Sequence, residues 1–158
     1  AVLVLEGQAR AQAHLRANDA VRRLCTRIER VLDECDAPGL REGDVVHNDF
    51  SHRNYLAVGE RVTGIIDWEL ATIGDWRLDL ASLAYNAVMQ PSSVSDDAVG
   101  YVLNELRKVC PPGTLALFNA YLVLRHLRYE SGAHPERLPH AVSRIEAYVA
   151  PPWCHAAP

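Results

Sequence analysis

The stretch VVHNDFSHRNYLAVGERVTGIIDWELATIGDWRLDLA, from Val45 to Ala81, sets His47, Asp49, Asn54 and Asp67 around two apolar runs. Each of these residues is poor strand material, so a β-rich pattern that is interrupted by them asks for a chemical reason. Val45-Val46 reads as a short strand and HNDFSHR as a polar loop. NYLAV and VTGIID flank Gly59-Glu60-Arg61, two β-rich runs about a Gly-containing turn, which predicts a hairpin. The pattern His-x-Asp-x-x-x-x-Asn holds Asp49 and Asn54 at a fixed spacing around one turn, so that one can face a hydroxyl and the other a metal. Asp67 ends the second run, where the antiparallel return brings it back beside Asn54. A carboxylate and an amide oxygen converging there make a hard oxygen site, the kind that holds magnesium together with waters and substrate phosphates.

Other readings of the same residues stay open. A zinc site from His47, Asp49 and His52 has suitable ligand types, but it leaves Asn54 and Asp67 unexplained. His47 reads as a hydrogen-bonded brace of the loop, since the neighbouring Asp49 already fills the role of a base. His52 and Arg53 stand between the base and the metal ligand, where either could touch phosphate or simply face solvent.

Outward from this stretch the pattern is helical. On the N-terminal side, Leu24, Ile28, Val31, Leu32 and Cys35 recur at the spacing of one buried face within Gly7 to Cys35, with Asn18 and Asp19 as caps of a second segment there. DAPGLREGD, from Asp36 to Asp44, is a loop. After Trp68 the chain is expected to stay helical, with Asp79 as N-cap of LASLAYNAVM, Ser95 to Asp97 opening a helix that Pro111 and Pro112 stop, and TLALFNAYLVLRHLRYE as a central helix. A last helix is expected from Glu136 to Tyr148.

With 158 residues, 49% hydrophobic and 23% charged, the chain suits one soluble globular unit. A formal net charge of −4 with scattered Lys and Arg argues against a nucleic-acid partner. No apolar run approaches the roughly 18 residues of a membrane span. Cys25, Cys35, Cys110 and Cys154 are too far apart for a C-x-x-C pair, so reduced thiols and a cytoplasmic location are expected. Acidic residues of the helical body, among them Asp96, Asp97, Glu130 and Glu136, read as solvated helix ends rather than contacts to a cationic acceptor.

HNDFSHRN, followed by GIIDWELATIGDWRLDLA, resembles the C-terminal lobe of the aminoglycoside phosphotransferase and choline kinase family, relatives of the protein kinases. The agreement covers Val45 to about Ala84. The resemblance implies an α+β fold, a mainly helical kinase-like lobe whose small β-hairpin bears the site. It also implies transfer of the γ-phosphoryl group of ATP or GTP to a hydroxyl of a small molecule, an aminoglycoside or other amino alcohol, with Mg2+ as cofactor. On the matching positions Asp49 is the catalytic base, Asn54 and Asp67 the metal ligands, His47 the brace, and Asp79 a support that steadies the loop and caps its helix. Asn48 and Trp68-Glu69 depart from the protein-kinase pattern, and no Ala-Pro-Glu segment follows, which points to a small-molecule kinase. No Gly-rich loop or strand Lys is present, so residues 1–158 are expected to form a single catalytic lobe without its nucleotide lobe. Residues 1–7 would be a hinge strand that places adenine near Leu5 to Gly7. A binding or scaffold domain without turnover and a metal-dependent hydrolase are the competing functions.

Overall fold

The computed structural model describes residues 18–34, 39–90 and 95–148. The hinge strand expected at 1–7, Cys35 and Cys154 lie outside them, as does the side chain of Val31. Among the described residues five helices carry the body: α1 (Asp19–Glu34), α2 (Arg77–Met89), α3 (Asp96–Val109), α4 (Pro112–Ala133) and α5 (Leu138–Tyr148). Helix α4 is the one the others gather on, packing against α1, α2 and α5, while α3 lies on α2. Its two apolar sides explain the position. Phe118, Leu122 and Leu127 join Val21, Leu24 and Ile28 of α1, Tyr85 and Met89 of α2, and Val142 and Ile145 of α5 in one core. Burying such side chains yields roughly 1.5–3 kcal/mol each, enough to order helices whose isolated stability is marginal.

The caps agree with the sequence. Asn18 Oδ1 accepts from the N–H groups of Ala20 and Val21 at 3.0 and 3.2 Å, and Ser95 Oγ from Ala98 at 3.3 Å. Pro112 begins α4, where its missing N–H costs no helical bond, rather than only ending α3.

Four short strands among the described residues form two antiparallel ribbons. β2 (Tyr55–Val58) and β3 (Arg61–Ile65) are the expected hairpin, with a bulge between Leu56 and Ala57. Its turn is tighter than expected. Gly59 at φ 60° and Glu60 form the connection, and Arg61 already pairs with Val58. The second ribbon was not expected: β1 (Asp44–Val46) pairs with β4 (Thr72–Gly74), aligning Val45 with Ile73. The chain therefore does not turn helical directly after Trp68. A 3-10 turn at Trp68–Leu70 and β4 come first, because Thr72-Ile73-Gly74 can satisfy the backbone of β1.

A second correction concerns Asp79. Helix α2 starts at Arg77, two residues before it, with Trp76 as its N-cap, and Asp75 just ahead accepts the Arg77 N–H at 3.0 Å. Asp79 falls in the first turn and its side chain is free to point elsewhere. Among the described residues no helix is long and apolar enough to cross a membrane.

Candidate active site

Asp79 turns back onto the loop that follows β1. Its Oδ2 accepts the N–H of His47 at 2.8 Å and its Oδ1 the N–H of Asn48 at 2.9 Å. One carboxylate thus holds two successive backbone donors that leave the β1–β4 ladder at this point. Having both oxygens so employed supports the bracing role and excludes the N-cap role.

His47 is 1% exposed, and both ring nitrogens are engaged. Nδ1 accepts the Asp49 N–H at 3.3 Å and Nε2 donates to the Ile66 carbonyl at 2.8 Å. The ring also packs against Trp68 at 4.7 Å. His47 therefore ties the loop bearing Asp49 to the chain just before Asp67. With neither nitrogen free, it cannot join a zinc site with Asp49 and His52.

Asn54 sits at the other end of the loop. Its amide nitrogen donates to the Asp49 carbonyl at 2.8 Å and to Asp49 Oδ2 at 3.3 Å. That orientation turns Oδ1 away from Asp49, leaving an acceptor without a donor among the described residues. The Asn54 carbonyl accepts the Ile66 N–H at 3.0 Å, so the chain after β3 returns beside Asn54 as the hairpin requires. The next residue, Asp67, is left-handed at φ 66° and ψ 54°, a conformation costing about 1–2 kcal/mol for a residue with a side chain. Its exposed carboxylate makes no hydrogen bond or ion pair with the described residues. An amide oxygen and a carboxylate, both uncommitted, are the donor chemistry of a magnesium site completed by water and phosphate. Asp49 and Asp67 flank the hairpin instead of riding on its strands.

Nothing in the residue pattern singles out Arg125, and it is central. From the middle of α4 its guanidinium reaches Asp49 Oδ1 at 3.3 Å and also donates to the Asn48 carbonyl. Tyr121, one turn earlier, donates its hydroxyl to Asn48 Oδ1 at 3.1 Å and lies under the guanidinium, 6.0 Å from its ring centre. Asp49 is thereby held at one oxygen by Arg125 and at the other by Asn54. Half-exposed, it faces a cleft of about 930 Å³ between the loop, α2, α4 and α5. Arg53 lines that cleft as well, whereas His52, Asn54 and Asp67 do not. His52 is half-buried, with an Nδ1 that meets no partner.

The model of the phosphotransferase enzyme family matches residues 3–111 of the chain, from before α1 through α3. The chain belongs to this family. No match came from the curated proteins or from the solved structures. The phosphotransferase family match contains the loop, both ribbons and Asp79, while α4 and α5, which supply Arg125 and much of the cleft, lie beyond it.

The cleft wall behind Asp49 is an aromatic and charged layer. Tyr85 Oη and His126 Nδ1 are 2.8 Å apart, and His126 Nε2 lies 3.6 Å from Glu130 Oε1. Burial lowers the pKa of His126 against the opposing pull of Glu130, with Arg144 and Arg125 reinforcing burial. Burial also pushes the Tyr85 phenol well above its ordinary value, so it stays protonated and can donate. Glu130, largely buried in the cleft wall, departs from its reading as a solvated helix end, whereas Glu136 at the cleft rim and Asp97 on α3 are exposed as expected. Cys25 and Cys110 are free thiols, and burial raises Cys110 to about 11.

Proposed function

We propose that this family member transfers the γ-phosphoryl group of ATP or GTP to a hydroxyl of a small molecule, with Asp49 as the residue that receives the acceptor. The observation that carries this reading is the setting of Asp49, whose carboxylate faces the cleft while Arg125 and Asn54 fix its two oxygens. An acceptor hydroxyl entering the cleft would donate to Asp49, which orients its oxygen towards the phosphoryl group and takes the proton late, once the bond to phosphorus has largely formed. Such a transition state is loose and strongly charged, so positioning and cation placement supply most of the rate. Asn54 Oδ1 and the Asp67 carboxylate would hold magnesium, whose charge is then shared among the phosphate oxygens. His47 keeps these two parts in register, and Arg53 is placed to meet a phosphate oxygen.

The experiment is phosphoryl transfer by the full-length protein and its Asp49→Asn variant, with ATP and GTP, across a panel of alcohols. The variant is expected to lose roughly 10²–10⁴-fold in kcat while keeping nucleotide binding. Equal rates would remove Asp49 from the chemistry. No transfer to any alcohol would favour a binding domain without turnover, and phosphate release that needs no acceptor would indicate a hydrolase.

A further inference from the structure

The cleft carries a cation that no carboxylate answers. Arg144, half-buried on α5, donates one Nη2 to the Val88 carbonyl at 3.0 Å, and among the described residues it joins no ion pair. Of the carboxylates of the same lining, Asp49 pairs with Arg125 at 3.3 Å and Glu136 with Arg137 at 3.7 Å, while Glu130 lies 3.6 Å from the His126 ring and within 4 Å of no arginine among the described residues. Glu130 is the natural rival site for a cationic acceptor, since its Oε2 meets no donor. That oxygen is sealed from solvent, so no ligand in the cleft reaches it. Both residues are half-buried, but the inward-facing oxygen of Glu130 is closed off while Arg144 keeps donors to spare, and Arg137 and His140 line the same cleft. A partly desolvated guanidinium with spare donors is stabilised by an anion whose two oxygens take two of its N–H groups at once.

Resting on the phosphotransferase reading above, we propose that the acceptor is a hydroxy compound bearing its own anionic group, a carboxylate or phosphate ester, received by Arg144 in the cleft that Asp49 faces. This reverses the charge expected of an amino-alcohol acceptor. It also places the selecting residue on α5, outside the part of the chain matched to the family.

Binding to the full-length protein is measured by calorimetry without nucleotide, and transfer is measured separately. The probes are glycerate, 3-hydroxyhexanoate and its methyl ester, glycerol 3-phosphate, choline and kanamycin. The anionic probes are expected to bind, the ester at least tenfold more weakly than its acid, and the ranking of carboxylate against phosphate identifies the group. Arg144→Gln should weaken the acid roughly ten- to a hundredfold, leave the ester within threefold, and leave kcat at saturating acceptor within threefold; Arg144→Lys should restore part of the loss. Equal binding of acid and ester, or binding of choline or kanamycin with none of the anions, would overturn the proposal. The acid-to-ester comparison uses the unaltered protein, so it decides the matter even if Arg144→Gln fails to fold. Selective, Arg144-dependent binding with no transfer to any probe would uphold the anion site and sink the transferase reading. Transfer to a neutral or cationic alcohol with no anion binding would do the reverse.

Discussion

Arg125 makes its two contacts to the Asp49 loop through one planar group, so its shape matters as much as its charge. Arg125→Gln is expected to lower kcat about tenfold or more with little change in nucleotide affinity, and Arg125→Lys to recover little of it, because an ammonium cannot span Asn48 and Asp49 in the same way. Steady-state kinetics with a saturating acceptor checks this, and full activity in the Lys variant would show that charge alone suffices. What could be read beforehand at this scale follows from sequence distance. Asp49, Asn54 and His47 lie within eight positions, so a loop spacing displays them, and the hairpin return extends the pattern to Asp67. Arg125 lies 76 residues beyond Asp49. Its signal was a long cation amid the apolar run LVLRHL, which suits a helix snorkelling to solvent just as well until the loop is seen above it.

Among the elements, the start of α2 is held by a pair that the sequence did not disclose. Asp75 and Arg77 are 4% and 8% exposed and meet at 2.5 Å, and Arg77 also reaches the carbonyls of Gly39 and Val109. Asp75 further accepts the Arg41 N–H at 3.0 Å, so the loop before β1, the start of α2 and the end of α3 join at one point. GDWRLD offers both Asp75 and Asp79 as helix starts, and the later one fits the apolar period better. The choice is made by tertiary partners: the loop takes Asp79, and Arg77 takes Asp75. Strand β4 is illegible in the sequence for a related reason, since three residues carry no period and pair only because β1 is there. Arg77→Leu should destabilise by about 3–5 kcal/mol, as it leaves a buried carboxylate without its cation, and adding Asp75→Leu should recover much of that loss. Chemical denaturation of the single and double variants measures it; additive losses would contradict the pairing. Burial pushes the Asp75 carboxyl up, but Arg77 and the two backbone N–H groups outweigh it and hold it below the usual carboxylate value. Its stabilisation is therefore complete above about pH 4 and is lost as the pH falls through its lower folded pKa.

For the molecule as a whole, the cleft wall is also a joint of the core, because the Tyr85–His126 hydrogen bond links α2 to α4 and Tyr85 meets Tyr148 of α5 edge-on. His126 faces Tyr85 from α2, Glu130 and Arg125 from its own helix, and Arg144 from α5. Burial, the largest influence, and the two arginines favour the neutral ring over the opposing pull of Glu130, so the folded pKa lies below the unfolded value near 6.5. The unfolded chain then binds the proton first. Stability is full above about pH 6.5, declines as the pH falls from there, and levels off only below the folded pKa. This window lies above that of Asp75, so the two losses separate along a pH titration. His126→Gln keeps a partner for the Tyr85 hydroxyl but cannot titrate, and it is expected to flatten the fall in Tm between pH 7 and 5 while leaving the steeper loss below pH 4. Scanning calorimetry of both proteins across that range tests the assignment. An unchanged slope between pH 7 and 5 in the variant would place the proton uptake elsewhere, and the joint between α2 and α4 would then be held by packing of the rings rather than by the neutral state of His126.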